Sequence, residues 1–281
     1  MRTVKFGMGG PEVSVIGQGT WYIEQARRAD AVAALRRGVE LGLTHIDTAE
    51  MYGNGAAEEF VGTAIEGQRE RVFLVSKVLP WNASHDGVIE ACEGTLSRLG
   101  TDHLDCYLLH WRGQHPLEDT FAAMDRLRRD GKIRSFGVSN FDVDDLEEAI
   151  AIVGQGQLAC NQVLYHLETR AIEHEVLPYC ATHGIAVVGY SPFGHDSFPT
   201  PRSSGWPALT RIAQEHGASE RQVALAYLTR ESHVLLIPKA SQSAHVEDNA
   251  GGGRIALSSQ QIEEIDAAFP RGRKPRHLPM L

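Results

Sequence analysis

The sequence lacks the features of a secreted or membrane-spanning protein. Its first ten residues, MRTVKFGMGG, contain no apolar stretch of the kind found in signal peptides, and no run reaches the roughly 18 apolar residues that span a bilayer. The four cysteines among 281 residues form no Cys-x-x-Cys pair, and each lies in an apolar pattern, so we expect reduced core residues. These absences predict a cytoplasmic protein with no membrane partner.

A basic surface and several catalytic motifs are also missing. The 27 Lys and Arg residues are outnumbered by 36 Asp and Glu residues, which gives a net charge of -9 and argues against a nucleic-acid partner. The sequence has no Gly-x-Ser-x-Gly and no His-Glu-x-x-His, and its thirteen histidines are scattered, so neither a serine nucleophile nor a metal site is predicted. No Gly-x-Gly-x-x-Gly follows a strand, which argues against a Rossmann domain.

What the sequence does contain is a regular series of apolar, β-branched runs, each followed by a segment of helical periodicity. This pattern of βα units predicts an α/β fold, a (β/α)8 TIM barrel, and the length suits a single domain over residues 1–281. The runs are apolar throughout, as expected of strands covered on both faces. The predicted strands are 13–20, 44–48, 72–77, 104–110, 133–139, 158–162, 185–190 and 234–239.

Two terminal segments lie outside this series. The run VKFGMGGPEVSVI near the start alternates around a Gly-Gly-Pro turn, which predicts a short N-terminal β-hairpin closing the bottom of the barrel. The last residues, RGRKPRHLPML, are basic and contain proline, and we expect them to lie loosely over the surface.

Polar residues end the predicted strands, where the active site of such a barrel lies. Asp47, Lys77 and His110 end the second, third and fourth strands, and Tyr52 follows in a loop. A lysine beside the phenol is expected to lower the phenol pKa from about 10, since a positive charge favours phenolate. Asp47 would pair with the lysine, and His110 would donate a hydrogen bond to a carbonyl oxygen. The group could therefore reduce a carbonyl, with the hydride coming from a cofactor.

Residues 46–62, IDTAEMYGNGAAEEFVG, resemble the motif of the aldo-keto reductase family, in which an Asp is followed five residues later by the catalytic Tyr. The segments VSK, YLLHW, GKIRSFGVSNF, NQVLYH, YSPFG and IPKA follow in the family's order, so the resemblance covers nearly the whole chain. Within the family the sequence looks most similar to bacterial methylglyoxal reductase-type members. The resemblance implies reduction of small aldehydes and ketones, methylglyoxal among them, with Tyr52 as proton donor, Asp47 and Lys77 tuning it, and His110 positioning the carbonyl.

The resemblance also implies a nicotinamide cofactor, NADPH, with NADH as the alternative. Ser139, Asn140 and Gln162 would hold the nicotinamide amide, Tyr190 would stack on the ring, and Lys239 would meet the adenosine phosphate. The full set of implied cofactor contacts is Gly19, Thr20, Trp21, Asp47, Ser139, Asn140, Gln162, Tyr190, Ser191, Pro192, Phe193, Ile237, Pro238, Lys239, Ala240, Ser241, His245, Asp248 and Asn249.

One position departs from the family pattern. Where the family commonly has an arginine that grips the 2′-phosphate of NADP, this chain has His245, followed by Asp248 and Asn249 at the family's Glu-Asn position. Histidine is mostly neutral at pH 7 and offers no bidentate fork, which weakens the expected selectivity for NADPH. Lys239 and Ser241 still favour NADPH.

An aromatic wall is predicted around the reacting carbonyl. The expected substrate-binding residues are Trp21, Tyr22, Tyr52, Trp81, His110 and Trp111. The short segment after the last predicted helix suggests an open pocket with broad specificity, in a protein that is most simply a monomer. The alternative function is a regulatory barrel that binds the nicotinamide nucleotide with little turnover, against which the complete set of four catalytic residues argues.

Overall fold

A computed structural model describes residues 1–195 and 197–281. Eight parallel strands within these residues form a nearly closed barrel, which confirms the predicted (β/α)8 architecture. The strands follow one another around the sheet in chain order. They are β3 (Gln18–Gly19), β4 (His45–Asp47), β5 (Phe73–Val78), β6 (Leu104–Leu109), β7 (Ile133–Ser139), β8 (Leu158–Leu164), β9 (Ala186–Tyr190) and β10 (Val234–Ile237).

The barrel closes where its first and last strands meet. The backbone N–H of Leu236 donates to Val15 O at 2.9 Å, and the N–H of Gly19 donates to Pro238 O at 3.2 Å. A Cβ on Gly19 would lie 2.5 Å from Ile237 O, so only glycine allows this approach. We call this contact between residues 15–19 and 236–239 the seam.

Helices cover the outside of the barrel. The apolar stripe predicted from Val32, Leu35 and Val39 is buried in the first of them, as its spacing requires. Two helices rather than one separate β9 from β10. The helices in the described part of the chain are α1 (Arg28–Leu41), α2 (Ala56–Ile65), α3 (His85–Leu99), α4 (Leu117–Arg129), α5 (Val143–Val153), α6 (Val176–His183), α7 (Trp206–His216), α8 (Glu220–Leu228), α9 (Ser243–Gly252) and α10 (Ser259–Ala268).

An N-terminal hairpin precedes the barrel, as predicted. Strands β1 (Thr3–Lys5) and β2 (Glu12–Ser14) pair in antiparallel register, with Val4 opposite Val13. The first predicted barrel strand, 13–20, is therefore wrong at its start, because Val13 and Ser14 already pair with β1. An apolar run does not reveal which of two neighbours it pairs with.

The interior contains the four cysteines, all buried and unpaired. No helix within the described ranges has the length and hydropathy needed to cross a membrane.

Candidate active site

The carboxyl ends of β4 and β5 bring three predicted residues together. Lys77 Nζ donates to Asp47 Oδ1 at 2.5 Å and to the hydroxyl of Tyr52 at 3.2 Å, and a third bond to the Thr48 carbonyl oxygen at 2.9 Å completes its donors. Adjacent parallel strands place Asp47 opposite Val75, two residues before the lysine, so the sheet register itself creates the ion pair. The arrangement is the one expected from the sequence.

This ion pair is sealed from solvent. The side chains of Lys77 and Asp47 are 0% and 1% exposed. A buried charge of this kind is tolerated only when its partners are complete, and the second Asp47 oxygen accepts a bond from Gln162 Nε2 at 2.7 Å. Burial alone would lower the pKa of Lys77, but Asp47 and Tyr52 more than offset it, so the pKa lies above its ordinary value and the lysine stays charged.

The expected lowering of the Tyr52 pKa is wrong for this structure. Burial of the phenol raises its pKa above the ordinary value, Lys77 opposes that rise, and the charge of Asp47 reinforces it. Lys77 alone would lower the pKa of the phenol, but burial outweighs it and Asp47 neutralises much of the lysine's field. Tyr52 is therefore a protonated phenol at neutral pH, which is the form a proton donor requires.

His110 lies across from the phenol at the end of β6. Its ring meets the Tyr52 ring edge to face with centroids 5.7 Å apart. Burial, with the nearby charge of Lys77, holds the pKa of His110 well below its ordinary value, so the imidazole is neutral. Its Nδ1 is buried without a hydrogen-bond partner in the described residues. A neutral imidazole here can orient a carbonyl oxygen by hydrogen bonding.

The turn that carries Tyr52 has an unusual backbone. Gly53, Asn54 and Gly55 adopt φ values of 55°, 53° and 90°, three left-handed residues in succession. Glycine adopts this conformation without strain, and asparagine does so more readily than most residues. The turn ends where α2 begins.

A cavity of about 390 Å³ opens above these residues. It is lined by most of the predicted cofactor contacts and by five of the six predicted substrate contacts. From the first set these are Gly19, Thr20, Trp21, Asp47, Ser139, Asn140, Gln162, Tyr190, Ser191, Pro192, Phe193, Ile237, Pro238 and Lys239, and from the second Trp21, Tyr22, Tyr52, His110 and Trp111.

Trp81 is the predicted pocket residue that does not line this cavity. It is 63% exposed and packs edge-on against Trp111, with centroids 5.7 Å apart. The short helical turn after β5, Pro80–Asn82, carries it to the outer rim. It reaches the cavity only through Trp111.

A polar network borders one end of the cavity. The hydroxyl of Tyr190 donates to Asn140 Oδ1 at 2.9 Å, and Asn140 Nδ2 donates to Ser139 Oγ and to the backbone oxygen of His110, both at 3.1 Å. Gln162, which also lines the cavity, donates through its amide nitrogen to Asp47 at 2.7 Å. These bonds fix the ring and the amides before any ligand arrives.

Lys239 also lines the cavity, just after β10. Among residues 1–195 and 197–281 its ammonium has one hydrogen-bond partner, Ser241 Oγ at 3.5 Å, and partial burial lowers its pKa. His245 is exposed on α9, and Ala240, Ser241, His245, Asp248 and Asn249 lie outside the cavity lining. Asp248 instead accepts bonds from Ser219 Oγ at 2.8 Å and Gln222 Nε2 at 3.0 Å, where it supports the start of α8.

Five lining residues were missed by the sequence analysis: Met51, Gly194, His195, Met280 and Leu281. Met51 directly precedes Tyr52, so its position next to a predicted site residue could have suggested it. His195 stacks on Trp21 with centroids 5.6 Å apart, a contact between distant segments that no local pattern reveals.

The C-terminal segment is not loose, contrary to expectation. Lys274 pairs with Glu175 at 2.5 Å, and the N–H of Leu281 donates to the Tyr190 hydroxyl at 3.3 Å. The segment therefore follows the barrel to the mouth of the cavity and forms part of its wall.

Comparison with known proteins agrees with this geometry. A model of the Aldo/keto reductase family matches residues 15–269. Methylglyoxal reductase YeaE of Escherichia coli (strain K12) is 46% identical over 275 residues, covering 97% of each chain. Glyoxal reductase of Bacillus subtilis (strain 168) is 33% identical over 261 residues, covering 92% of this chain and 90% of that relative.

A solved structure is similar along the whole chain. The crystal structure of an aldo/keto reductase from Klebsiella pneumoniae in complex with NADP and acetate has a TM-score of 0.93 and 42% sequence identity, with both chains covered completely. The sequence matches and the structural match therefore identify the same family over nearly the whole chain.

Proposed function

The chain belongs to the aldo/keto reductase family, and on that premise we propose that four residues form its proton-delivering site: Asp47, Tyr52, Lys77 and His110. It is an NADPH-dependent oxidoreductase that reduces carbonyl groups. The observation that carries the proposal is the sealed contact of the Lys77 ammonium with the Tyr52 hydroxyl at 3.2 Å.

Proton delivery follows from the charges around the phenol. Tyr52 donates its proton to the carbonyl oxygen as negative charge develops there. The adjacent ammonium of Lys77 stabilises the phenolate left behind, and Asp47 keeps that ammonium in place. The neutral ring of His110 holds the same oxygen by a hydrogen bond. General acid catalysis of this kind contributes about 10²- to 10⁴-fold in rate.

The residues around the cavity fit a nicotinamide dinucleotide. Asn140 and Gln162 contribute amide groups to the cavity lining, as Tyr190 contributes its ring, and Lys239 contributes an ammonium whose hydrogen bond to Ser241 is long. A ligand that carries both a carboxamide and phosphates matches this combination of groups. When bound, the cofactor supplies the hydride.

We propose small, uncharged carbonyl compounds as substrates, with 2-oxoaldehydes such as methylglyoxal among them. Trp21, Tyr22 and Trp111 give the cavity an aromatic wall, which suits uncharged molecules. The relatives named methylglyoxal and glyoxal reductase support this choice.

Tyr52→Phe tests the proposed donor. We expect kcat with methylglyoxal to fall by at least about 100-fold, because phenylalanine has no proton to give. The Kd for NADPH, measured by quenching of protein fluorescence, should stay within about twofold of the wild-type value. A variant that turns over at the wild-type rate would remove Tyr52 from this role.

The regulatory-barrel alternative predicts a different result for the unmodified protein. It would bind NADPH but oxidise none in the presence of methylglyoxal or an aromatic aldehyde. Measurable consumption that depends on both Tyr52 and the carbonyl compound excludes it.

We further propose that residues 1–281 form one domain acting as a cytoplasmic monomer without a nucleic-acid partner. The barrel sheet that runs through the chain supports the single domain, and the net charge of -9 supports the absence of a nucleic-acid partner.

A further inference from the structure

The left-handed turn after Tyr52 is pressed from two sides by other segments. A Cβ on Gly53 would lie 2.5 Å from Cγ of Glu24, and a Cβ on Gly55 would lie 2.6 Å from Cδ of Arg98. A side chain at either position would displace these neighbouring side chains and would also strain the left-handed backbone. The aliphatic part of Arg98, in the last turn of α3, is in direct contact with the segment that carries the proton donor.

The guanidinium of Arg98 reaches a buried carboxylate. Its Nε donates to Glu58 Oε2 at 2.5 Å, and Glu58 is 0% exposed. In residues 1–195 and 197–281 no other cation pairs with Glu58, so the carboxylate depends on Arg98 for compensation. Separating the two side chains would leave an uncompensated buried charge, which is strongly unfavourable. Arg98 and Glu58 are therefore held in contact.

The other oxygen of Glu58 binds the strand that carries Lys77. Ser76 Oγ donates to Glu58 Oε1 at 2.6 Å, and both groups are buried. Side chains alternate along a strand, so Ser76 faces the helices while Lys77 faces the inside of the barrel. Glu58 lies in the first turn of α2, directly after the turn of Tyr52. One carboxylate therefore joins the two segments that carry the proton-delivery pair.

We propose that Arg98, acting through Glu58 and Gly55, is a positioning residue that sets the separation between the Tyr52 hydroxyl and the Lys77 ammonium. This inference rests on the proposed function, because it takes Tyr52 as the proton donor. Arg98 touches neither substrate nor cofactor. Its effect on the reaction is a matter of distance, and a misplacement near 1 Å can cost about 100-fold in rate.

A second arginine provides a matched control. Arg69 pairs with Asp105 at 2.9 Å, and Asp105 also accepts from the backbone N–H of Leu74, so this pair supports the opposite end of β5. Both arginines are partly buried, with side chains 31% and 15% exposed. They differ in where they reach β5. Arg98 is linked through Glu58 to Ser76, next to Lys77. Arg69 is linked through Asp105 to Leu74, three residues before Lys77.

The test compares Arg98→Met, Arg98→Lys and Arg69→Met. We expect Arg98→Met to lower kcat for methylglyoxal about tenfold, with KM and the NADPH Kd within twofold. The alkaline limb of the kcat profile should move to higher pH, because a more distant Lys77 lowers the phenol pKa less. Arg98→Lys should recover more than half of the lost kcat, and Arg69→Met should lower the melting temperature without moving kcat or the profile.

Two further variants keep the test decisive if Arg98→Met fails to fold. The double variant Glu58→Gln with Arg98→Met leaves no unpaired buried charge and should show the same fall in kcat. Ser76→Ala removes one hydroxyl without changing charge and should shift the profile in the same direction. Wild-type kcat and an unmoved pH profile in the folded variants, or equal effects from Arg69→Met, would overturn the inference.

The two proposals fail separately. Full activity of Tyr52→Phe would remove the proposed donor, whatever Arg98 does. An inactive Tyr52→Phe together with unaltered Arg98 and Ser76 variants would leave the donor in place and remove only the positioning role.

Discussion

The family resemblance places His245, which is exposed on α9, at the position of an arginine that meets the 2′-phosphate. A guanidinium offers a charged bidentate donor, whereas an imidazole has no such fork of N–H groups. We expect His245→Arg to tighten NADPH binding about five- to tenfold in a fluorescence titration, with the NADH Kd within about twofold, since only NADPH carries the additional phosphate.

The neighbouring Ala244 supplies the control for this prediction, because it is also exposed at the start of α9. Ala244→Arg adds the same charge at a position that the family resemblance does not assign to the phosphate, so it should change both affinities little. If affinity rose equally for both cofactors, or equally in both variants, the cause would be general electrostatic attraction and not a contact with the 2′-phosphate.

Single residues show where sequence reasoning succeeds and where it stops. Asp47 and Lys77 could be paired from the sequence, because the ends of adjacent parallel strands must meet. The direction in which the Tyr52 pKa shifts could not be predicted from the sequence. It depends on the balance between burial and two opposing charges, which only the three-dimensional distances decide. Trp81 was predicted to line the pocket, but the helical turn that follows β5 carries it to the exposed rim. The direction of that turn is not visible in the sequence.

At the scale of elements, one buried carboxylate ties helices together away from the active site. Glu173, at the end of the short helical turn before α6, accepts hydrogen bonds from Arg170 at 2.6 Å and 2.9 Å, from the Tyr165 hydroxyl at 2.5 Å and from Arg230 at 2.9 Å. Arg170 continues to Asp266 of α10 at 2.6 Å. The network therefore joins the segments around α6, α8 and α10.

Glu173→Gln should reveal this network as a dependence of stability on pH. Burial alone would raise the pKa of Glu173, but the bonds from Arg170 and Tyr165 and the charge of Arg230 lower it to about 2. A carboxyl with a lowered pKa stabilises the fold above its ordinary pKa, and that stabilisation is lost as the pH falls toward 2. We expect a cost of about 3 kcal/mol at pH 7 in urea unfolding, falling to roughly half or less at pH 3.

Glu175→Gln is the matched control, because its pair with Lys274 is half exposed on both sides. Exposed pairs contribute about 0–1 kcal/mol, so this variant should barely change the unfolding midpoint at either pH. A Glu173→Gln deficit that is independent of pH would contradict the electrostatic account.

The positions of the strands were predicted more reliably than the strands with which they pair. Seven of the strands, from β4 to β10, lie where apolar runs mark them, because a strand covered on both faces must be apolar whatever its neighbours. Residues 13 and 14 were assigned to the barrel although they pair with β1, because an apolar run does not show which of two neighbouring strands it joins.

At the scale of the molecule, the candidate active site and the contacts of the N-terminal hairpin lie at opposite ends of the barrel. Phe6, from the hairpin segment, is buried against Phe73 and His45 at the amino ends of the strands, with ring centroids 4.5 Å and 5.8 Å away. Phe6→Ala should cost about 3–5 kcal/mol and lower the melting temperature by roughly 10 °C. Below that temperature, kcat/KM for methylglyoxal should stay within about twofold.

Phe6→Leu refines this prediction, because it keeps most of the buried volume and should cost less than the alanine variant. Calorimetry and initial rates on the same preparations check both variants. A large loss of kcat/KM in folded Phe6→Ala would mean that the bottom of the barrel is coupled to the mouth.

Contacts between distant segments are what the sequence could not supply. His195 meets Trp21, and Leu281 meets Tyr190, across separations that leave no periodic or local signature. The basic and proline-containing composition of the C-terminal segment correctly predicts that it lies on the surface. It does not predict that the segment reaches the mouth of the cavity.

The seam has a consequence for synthesis of the protein. Residues 15–19 emerge from the ribosome long before residues 236–239, their hydrogen-bonding partners, so the cylinder cannot close until those partners have been synthesised. A nascent or prematurely terminated chain that stops before Val234 lacks both the closing strand β10 and Lys239. Catalytic competence is thus gained in one late step rather than accumulated as the polypeptide lengthens.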